Sequence, residues 1–336
     1  MTPIAFLLVI AGSLTIAFMN IAQRSALKEK SSPMKFLASG FTLFTGLLIT
    51  TYVLMWGWNY PPRLLAGFWN AVLVGALANY AIQYIHAKVA TYKEGEVSLA
   101  APISAMTPGL ITIVAIALKE FPGPRGVAGI ICMMLGSWII SFPDKPAHWW
   151  GYLQPLYRLR LIMRYKELSH QDKERTKVIL LALTSAALGT VGLLCDGLYT
   201  RRGSDLQGMW FGIIVLIAIL AIGYIIQYFC QSPEIKNGSG SFYEKRFLFG
   251  IIIFAVMFVV TQWLIKPLYF EAYIAYVGTL YRLQILFTVI LGYWIFHERD
   301  IKKRLVAAII IIIGAVLIAS DDLPARISSH IEHFGF

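Results

Sequence analysis

The stretch of sequence that decides the fold is APISAMTPGLITIVAIALKEFPGPRGVAGIICMMLGSWIISFPD (residues 101–144), because a related stretch recurs 178 residues later. The second copy is TLYRLQILFTVILGYWIFHERDIKKRLVAAIIIIIGAVLIASDD (residues 279–322), and the two align without a gap. Each copy consists of two apolar segments joined by a short polar hairpin. Glu120 aligns with Glu298 and Gly136 with Gly314, so charged and glycine positions keep their register. A hydrophobic unit that recurs together with its polar positions predicts a protein built from two halves.

The composition excludes a soluble globular domain. Of the 336 residues, 58% are hydrophobic and 14% are charged, whereas about a quarter of the residues of soluble domains are charged. The mean hydropathy is +0.67, and the sequence therefore predicts an integral membrane protein. The net charge of +11 is expected to lie in loops that face anionic lipid headgroups, and nucleic acid is not an expected partner.

Ten apolar segments reach or approach the roughly 20 residues that span the hydrocarbon core of a bilayer. Backbone amides in lipid must be satisfied within a segment, so these segments are predicted to be helices. The predicted fold class is an all-α integral membrane protein with ten transmembrane helices. The segments are Pro3–Ile21, Phe36–Trp56, Leu64–Ala87, Val97–Leu118, Val127–Phe142, Val178–Leu198, Trp210–Cys230, Phe247–Ile265, Tyr273–Phe296 and Leu305–Ser320.

The helix count sets the relation between the two halves. Five helices per half is an odd number, so the second half enters the membrane from the opposite side and the two repeats are inverted. The predicted units are a first five-helix repeat (1–142), a polar linker (143–177), a second five-helix repeat (178–322) and a polar tail (323–336). Within the linker, YLQPLYRLRLIMRYKEL (152–168) mixes aromatic, aliphatic and basic residues. This mixture predicts an interfacial helix, with a disordered linker as the alternative.

The paired hairpins resemble those of a known superfamily of transporters. In the first, a helix containing Ala105–Pro108 ends in Lys119-Glu120 and is followed by a helix with Gly136. In the second, His297-Glu298 and Gly314 stand at the equivalent positions. On these residues the chain resembles the drug/metabolite transporter (DMT) superfamily, in its ten-helix EamA-type group. The resemblance covers nearly the whole chain by helix count and implies secondary transport with both termini in the cytoplasm.

Two observations depart from that resemblance. The loops after the odd-numbered segments hold 21 Lys and Arg residues, and the other loops and termini hold 7. By the positive-inside rule this distribution places both termini outside, so the orientation stays open. Small half-size relatives exchange protons for cations through an acidic residue in the first helix, but residues 1–21 contain none. That mechanism is therefore not carried over to this chain.

Arg282 is the most informative single residue. It lies well inside the ninth segment, next to Tyr281 and close to Gln284. A charge there costs at least about 2.5 to 3.5 kcal/mol on insertion scales, so it is expected to face a cavity or a partner. We predict that these three residues bind an anionic group of a substrate. The alternative is an ion pair between Arg282 and Asp196, near the end of the sixth segment.

Further polar residues lie in other segments. Lys88 and Lys266 occupy equivalent positions in the two repeats. They are predicted either to snorkel to the headgroups or to form paired gates at the two mouths of one pathway. His86, Gln83 and Asn79 form a polar stripe along the third segment. His86 is either buried and hydrogen-bonded or couples transport to protons.

Amides and a carboxylate complete the set of candidates. Asn20 and Gln262 need partners in hydrocarbon, and they either join helices or line a cavity. The same alternatives apply to Gln227. Glu120, at the end of the fourth segment next to Lys119, is predicted to have a structural role, either as a helix cap or in a loop ion pair.

The sequence contains no signature of catalysis or of nucleotide hydrolysis, such as HExxH, GxSxG or a P-loop. We therefore expect no enzyme activity, no metal and no cofactor. The expected function is secondary transport of a small polar metabolite by alternating access in a bacterial-type inner (plasma) membrane, and the cationic residues favour an anionic substrate. The alternatives are a flippase for lipid-linked substrates and, less favoured, a lipid-modifying enzyme that uses Asp196 with His86. The expected partners are a small-molecule substrate and membrane lipids, and a homodimer is a further option.

Overall fold

The structure is a computed structural model in which all regular secondary structure of the described residues is helical. The described residues are 3–27, 33–57, 62–89, 105–117, 120–141, 148–153, 170–230, 245–296 and 301–321. The α-helices are α1 (Pro3–Leu27), α2 (Pro33–Trp56), α3 (Phe68–Val89), α4 (Thr107–Ala117), α5 (Pro124–Ser141), α6 (His170–Arg202), α7 (Leu206–Cys230), α8 (Lys245–Ile265), α9 (Ile274–Leu280), α10 (Leu283–Phe296) and α11 (Ile301–Ala319).

Proline marks where several of these helices begin. Pro3, Pro33 and Pro124 are the first residues of α1, α2 and α5, the position at which proline's missing N–H costs no hydrogen bond. Two short 3-10 helices complete the described elements, at Trp149–Leu153 and at Lys266–Phe270, directly after α8. The second of these contains Pro267 in its first turn and prolongs the path of α8 by five residues.

Five of the helices are long and apolar enough to cross a membrane, so the chain is an integral membrane protein. They include the segments Pro3–Gln23, Met34–Trp56, Thr176–Arg202, Leu206–Cys230 and Phe247–Phe270. Three shorter apolar helices lie at Thr107–Ile116, Pro124–Ile139 and Val306–Ala319. The all-helical membrane class is thus confirmed, whereas the number of ten transmembrane helices stays a prediction.

The predicted segments and the observed helices differ in several bounds and at one interruption. Helix α6 begins at His170, eight residues before the predicted start at Val178, because a polar helical turn can extend beyond the lipid where water satisfies its side chains. The ninth predicted segment is divided into α9 and α10. The predicted interfacial helix (152–168) lies almost wholly outside the described residues, which include only the 3-10 helix Trp149–Leu153 in this part of the linker.

The most extensive contacts between helices are related by the exchange of the two predicted repeats. In this exchange α1 corresponds to α6, α2 to α7, α3 to α8, α4 to α9 and α10, and α5 to α11. Helix α1 packs on α8 as α3 packs on α6, and α2 packs on α8 as α7 packs on α3. Likewise, α1 packs on α10 as α6 packs on α4. The pairs α2–α7 and α5–α11 map onto themselves. A protein made of two related halves around a twofold axis is expected to have this pattern of contacts.

The crossing of α5 and α11 depends on small residues. A Cβ atom on Gly129 would lie 2.6 Å from the carbonyl oxygen of Gly314, and one on Gly314 would lie 2.7 Å from that of Gly129. A Cβ atom on Gly136 would lie 2.9 Å from the carbonyl oxygen of Ala307. Gly136 and Gly314 are the aligned glycines of the two hairpins, and Gly129 aligns with Ala307 at the same offset. The contact of Gly129 with Gly314 in one repeat order therefore corresponds to the contact of Ala307 with Gly136 in the other. The small residues let the two helices pack closely, as they do in other membrane bundles.

We expect Gly314→Ala to lower the free energy of unfolding by about 1 to 3 kcal/mol, the usual cost of overpacking. The added Cβ meets backbone atoms of α5, which cannot move aside as a flexible side chain can. Thermal unfolding of the purified protein in detergent measures the loss as a lower Tm.

Gly46→Ala on α2 is the matched control, because a Cβ at Gly46 would meet nothing within 4 Å. Both substitutions gain the same helix propensity, about 1 kcal/mol, so the control is expected to keep or raise the Tm. Equal Tm values for the two variants would contradict the close crossing.

Candidate functional site

A cavity of about 450 Å³ lies among α1, α3, α6, α7, α8 and the start of α10. Its lining residues on α7 run from Ile213 to Leu220, around the middle of that 25-residue helix. Nine of the eleven site residues predicted from the sequence line this cavity. They are Asn20, Asn79, Gln83, Asp196, Gln262, Lys266, Tyr281, Arg282 and Gln284.

The other two predicted residues are His86 and Lys88. Both belong to α3, but their side chains lie outside the part of the chain that the structure describes. The predicted roles of the histidine in proton coupling and of the lysine as a gate therefore stay predictions.

Lys266 forms an ion pair with Asp196. Its Nζ atom lies 2.7 Å from Oδ2 of Asp196, and it lies 5.2 Å and 5.7 Å from the ring centroids of Tyr199 and Tyr269. Lys266 is 8% exposed, so the prediction that it snorkels to the headgroups is wrong. The reason is that the chain continues beyond α8 as a 3-10 helix, which leaves Lys266 inside the bundle against α6.

The ion pair of Lys266 with Asp196 also bears on the predicted alternative for Arg282, an ion pair with Asp196. Because Asp196 binds Lys266, the predicted ion pair between Asp196 and Arg282 is wrong. Among the described residues no carboxylate pairs with Arg282. The guanidinium group therefore lines the cavity as a cation without a counter-charge from this part of the protein. Asp196, Lys266 and Arg282 are the charged residues of the described lining, and together they carry one net positive charge.

Arg282 lies where the ninth predicted segment is interrupted. Tyr281 and Arg282 form a turn between α9 and α10. In that turn the N–H of Arg282 donates to the carbonyl of Thr279, and the N–H of Ile285 donates to that of Arg282, each over three residues instead of four. The prediction of one continuous helix was wrong here because neither glycine nor proline marks positions 281 and 282.

The amide side chains divide between the two predicted roles. Gln227 accepts a hydrogen bond from the hydroxyl of Tyr80 at 2.9 Å and joins α7 to α3. Gln262 lines the cavity instead, and its buried Oε1 atom has no hydrogen-bond partner among the described residues. An unsatisfied buried acceptor is costly, so a bound donor or water is expected at this atom.

Beyond Tyr199, the last residue of α6 in the lining, Arg201 ties this end of α6 to neighbouring elements. Its Nη1 atom donates to Oε1 of Glu120 at 2.5 Å. Its Nε and Nη2 atoms donate to the carbonyl oxygens of Tyr269 and Ala272 at 2.9 Å and 3.0 Å. Oε2 of Glu120 accepts the N–H of Ile274 at 2.8 Å. We call these contacts the Arg201 cluster.

The contacts of the Arg201 cluster agree with the structural role predicted for Glu120. This residue is 6% exposed and joins α4 to α6 and α9 through partners far away in the sequence, whereas the adjacent Lys119 lies outside the described residues. Spacing along the chain gave no sign that the end of α6 lies beside the end of α4. A neighbouring set of contacts links Asp321, after α11, to the hydroxyl of Tyr276 and to the N–H of Gly123.

Asp196 is also the acid of the less favoured alternative, a lipid-modifying enzyme. Its carboxylate is bound to Lys266, and the position of the His86 side chain is outside the described residues. Asp196 and Tyr199 lie one turn apart on α6, and both line the cavity. This spacing of two polar residues indicates in the sequence that one face of α6 is polar.

We expect Asp196→Asn and Lys266→Gln each to lower the free energy of unfolding by about 3 kcal/mol, because each leaves one buried charge without its partner. The double variant removes both charges and is expected to lose less than the sum of the two. Unfolding in mixed micelles measures the three values. Glu271→Gln is the control, since Glu271 is exposed and its loss is expected to stay within about 0.5 kcal/mol. Additive losses would contradict the pair.

Comparisons with known proteins identify the fold and no family. No family profile matches the chain, and no curated protein matches it. A solved structure described as "Crystal structure of protein" superimposes with a TM-score of 0.68 at 14% sequence identity, over 94% of this chain and 96% of that one. At this identity the likeness shows that the chain shares the fold of that structure over nearly its full length.

Proposed function

We propose that the protein is a secondary transporter that moves a small polar anion across the membrane by alternating access. Arg282 carries this proposal. An arginine inside a membrane bundle is rare, and it normally faces a partner or a polar cavity that serves transport. Here it lines a cavity at the middle of the bundle, and no described carboxylate neutralises it. An anionic substrate would supply the missing counter-charge.

The interruption of the helix at Arg282 supports the same function. Secondary transporters bind substrates and ions near the bilayer midplane at discontinuous helices, where unwound backbone lines a cavity. The turn at Tyr281 and Arg282 is a discontinuity between α9 and α10 in which the backbone is tightened and stays hydrogen-bonded, and Gln284 follows it in the lining. The side chains of Tyr281 and Gln284 could then bind the polar atoms of the substrate next to its charge.

The exchange of helix contacts supports two inverted five-helix repeats. In transporters of that kind, one half rocks against the other around a fixed central site. The backbone contacts of Gly129 with Gly314 and of Gly136 with Ala307 make α5 and α11 one tightly packed unit. The cavity lies among the other helices, which could move relative to that unit.

The Arg201 cluster supports alternating access because it lies at one end of the cavity and consists of contacts that can be exchanged. Tyr199 and Tyr269 are each 1% exposed, so the lining is closely packed at this end. Beyond them, the charged and backbone hydrogen bonds of Arg201 tie the end of α6 to Glu120, Tyr269 and Ala272. Toward the ends of α1 and α3, the lining continues to Gln23 and Gln83.

Membership of the DMT superfamily, in its EamA-type group, is part of this proposal, as is a location in a bacterial-type inner membrane. The proposed partners are a small-molecule substrate and lipid, with a homodimer as a further option. No catalytic step is proposed, because the carboxylate of Asp196 is bound to Lys266.

We expect Arg282→Gln to lower uptake of an anionic substrate by proteoliposomes about ten-fold or more at subsaturating concentration. A hydrogen bond to a charged group contributes about 1.5 to 3 kcal/mol, and this variant removes the charge. Counterflow of radiolabelled lactate, benzoate, phosphate and glycerol phosphate gives the measurement. Arg282→Lys keeps the charge and is expected to retain more activity.

Arg125→Gln is the control, because Arg125 is exposed at the start of α5 and does not line the cavity. It is expected to transport as the unaltered protein does. The proposal fails if Arg282→Gln stays folded and leaves the uptake of every anion in the panel unchanged.

A further inference from the structure

The cavity has two chemically different walls. Most of the polar groups of the lining lie on α1, on α3 and on residues 281–284. Every lining residue from α2 and α7 is apolar. Two phenylalanines of α8 continue this apolar surface. We call it the apolar wall, and it consists of Phe41, Ile213, Leu216, Ile217, Leu220, Phe254 and Phe258.

The aromatic part of the apolar wall is packed before any substrate binds. The ring centroids of Phe41 and Phe254 are 5.8 Å apart, and those of Phe254 and Phe258 are also 5.8 Å apart. Phe41 and Phe258 lie 6.1 Å from each other. The rings meet at steep angles, the arrangement that aromatic groups prefer. They offer a substrate an apolar surface and no hydrogen bonds, so a polar group placed against them would lose its water without compensation.

The charges of the lining limit the charge of the substrate. Lys266 is neutralised by Asp196 at 2.7 Å. Arg282 is then the one cation without a counter-charge among the described lining residues. One such cation matches one negative charge. A second charge on the substrate would have to break the pair of Lys266 with Asp196 or stay unpaired in the cavity.

The volume of the cavity adds a third limit. About 450 Å³ lies within the range of sites for metabolites and drug-sized ligands, roughly 300 to 1,000 Å³. Six of the seven residues of the apolar wall are at most 4% exposed, and Phe258 is the partly exposed one. A small hydrophilic anion bound at Arg282 would leave the exposed part of the wall, which lies mainly on Phe258, in contact with water. A substrate that reaches both Arg282 and the wall would bury that surface, which is the main source of affinity for an apolar body.

We propose that the substrate is an organic monocarboxylate with a compact apolar body. Its carboxylate binds the guanidinium group of Arg282, and its body covers the apolar wall between α2, α7 and α8. The inference rests on the proposed function and narrows it to one class of anion. Inorganic phosphate, phosphate esters and hydroxy acids lack the apolar body and are poor ligands on this account.

Equilibrium binding to the purified full chain in detergent tests the class. The probes are 3-phenylpropionate, lactate, inorganic phosphate and the uncharged 3-phenyl-1-propanol. We expect 3-phenylpropionate to bind at least ten-fold more tightly than each of the other three. Equal or tighter binding of lactate or phosphate would overturn the inference, while the function as an anion transporter would stand if that binding required Arg282.

Substitutions separate the two contributions. Phe258→Ala is expected to weaken 3-phenylpropionate at least five-fold and to leave lactate within two-fold, whereas Arg282→Gln is expected to weaken both acids. Phe249→Ala is the matched control, since Phe249 lies on the same helix and is 65% exposed on its outer side. Phe258→Leu replaces Phe258→Ala if the latter does not fold, with an effect in the same direction.

The outcomes distinguish the two levels of the proposal. If Phe258→Ala or Phe258→Leu weakens lactate as much as 3-phenylpropionate, the apolar wall does not select the substrate and the inference is wrong. If no probe binds, or if Arg282→Gln changes the binding of none, the site does not bind anions and the proposed function fails with it.

Discussion

An ionised side chain within the hydrocarbon layer requires either an opposite charge or a polar cavity, and the centre of this protein is arranged by that requirement. Asp196 and Lys266 satisfy it by pairing with each other at 2.7 Å. Arg282 satisfies it by lining the cavity. The pair also joins α6 to the turn after α8, so the same contact neutralises charge and holds two helices together. The single positive charge that remains is the basis of the proposed preference for an anion.

Two kinds of contact hold the helices, and they suit different roles. At the crossing of α5 and α11, backbone meets backbone at Gly129 and Gly314, and such a contact cannot open without separating the helices. At the end of α6, Arg201 is held through hydrogen bonds to Glu120 and to two carbonyl oxygens, which water or other groups can replace. Rigid packing at the α5–α11 crossing and exchangeable polar contacts at the end of α6 are what the proposed alternating access would need.

Sequence reasoning located the helices because apolar length is a strong signal in membrane proteins. It also found residues of the cavity, since a polar side chain such as Asn79 or Gln262 is conspicuous in an apolar helix. It could not identify partners, because spacing along one helix does not reveal which helix lies opposite. The pairing of Lys266 with Asp196 was therefore missed. The interruption at Arg282 was missed because no local breaker marks it.

The central claim is that one cavity opens to the two sides of the membrane in turn, and the accessibility of Gly189 tests it most directly. Gly189 lines the cavity, and a Cβ there meets only Thr107 at 3.8 Å, so Gly189→Cys fits without strain. With Cys132, Cys195 and Cys230 replaced, a membrane-impermeant thiol reagent is applied to right-side-out and to inverted vesicles. The account predicts modification from both sides, slowed by substrate. Modification from one side alone, whatever the substrate gradient, would contradict it.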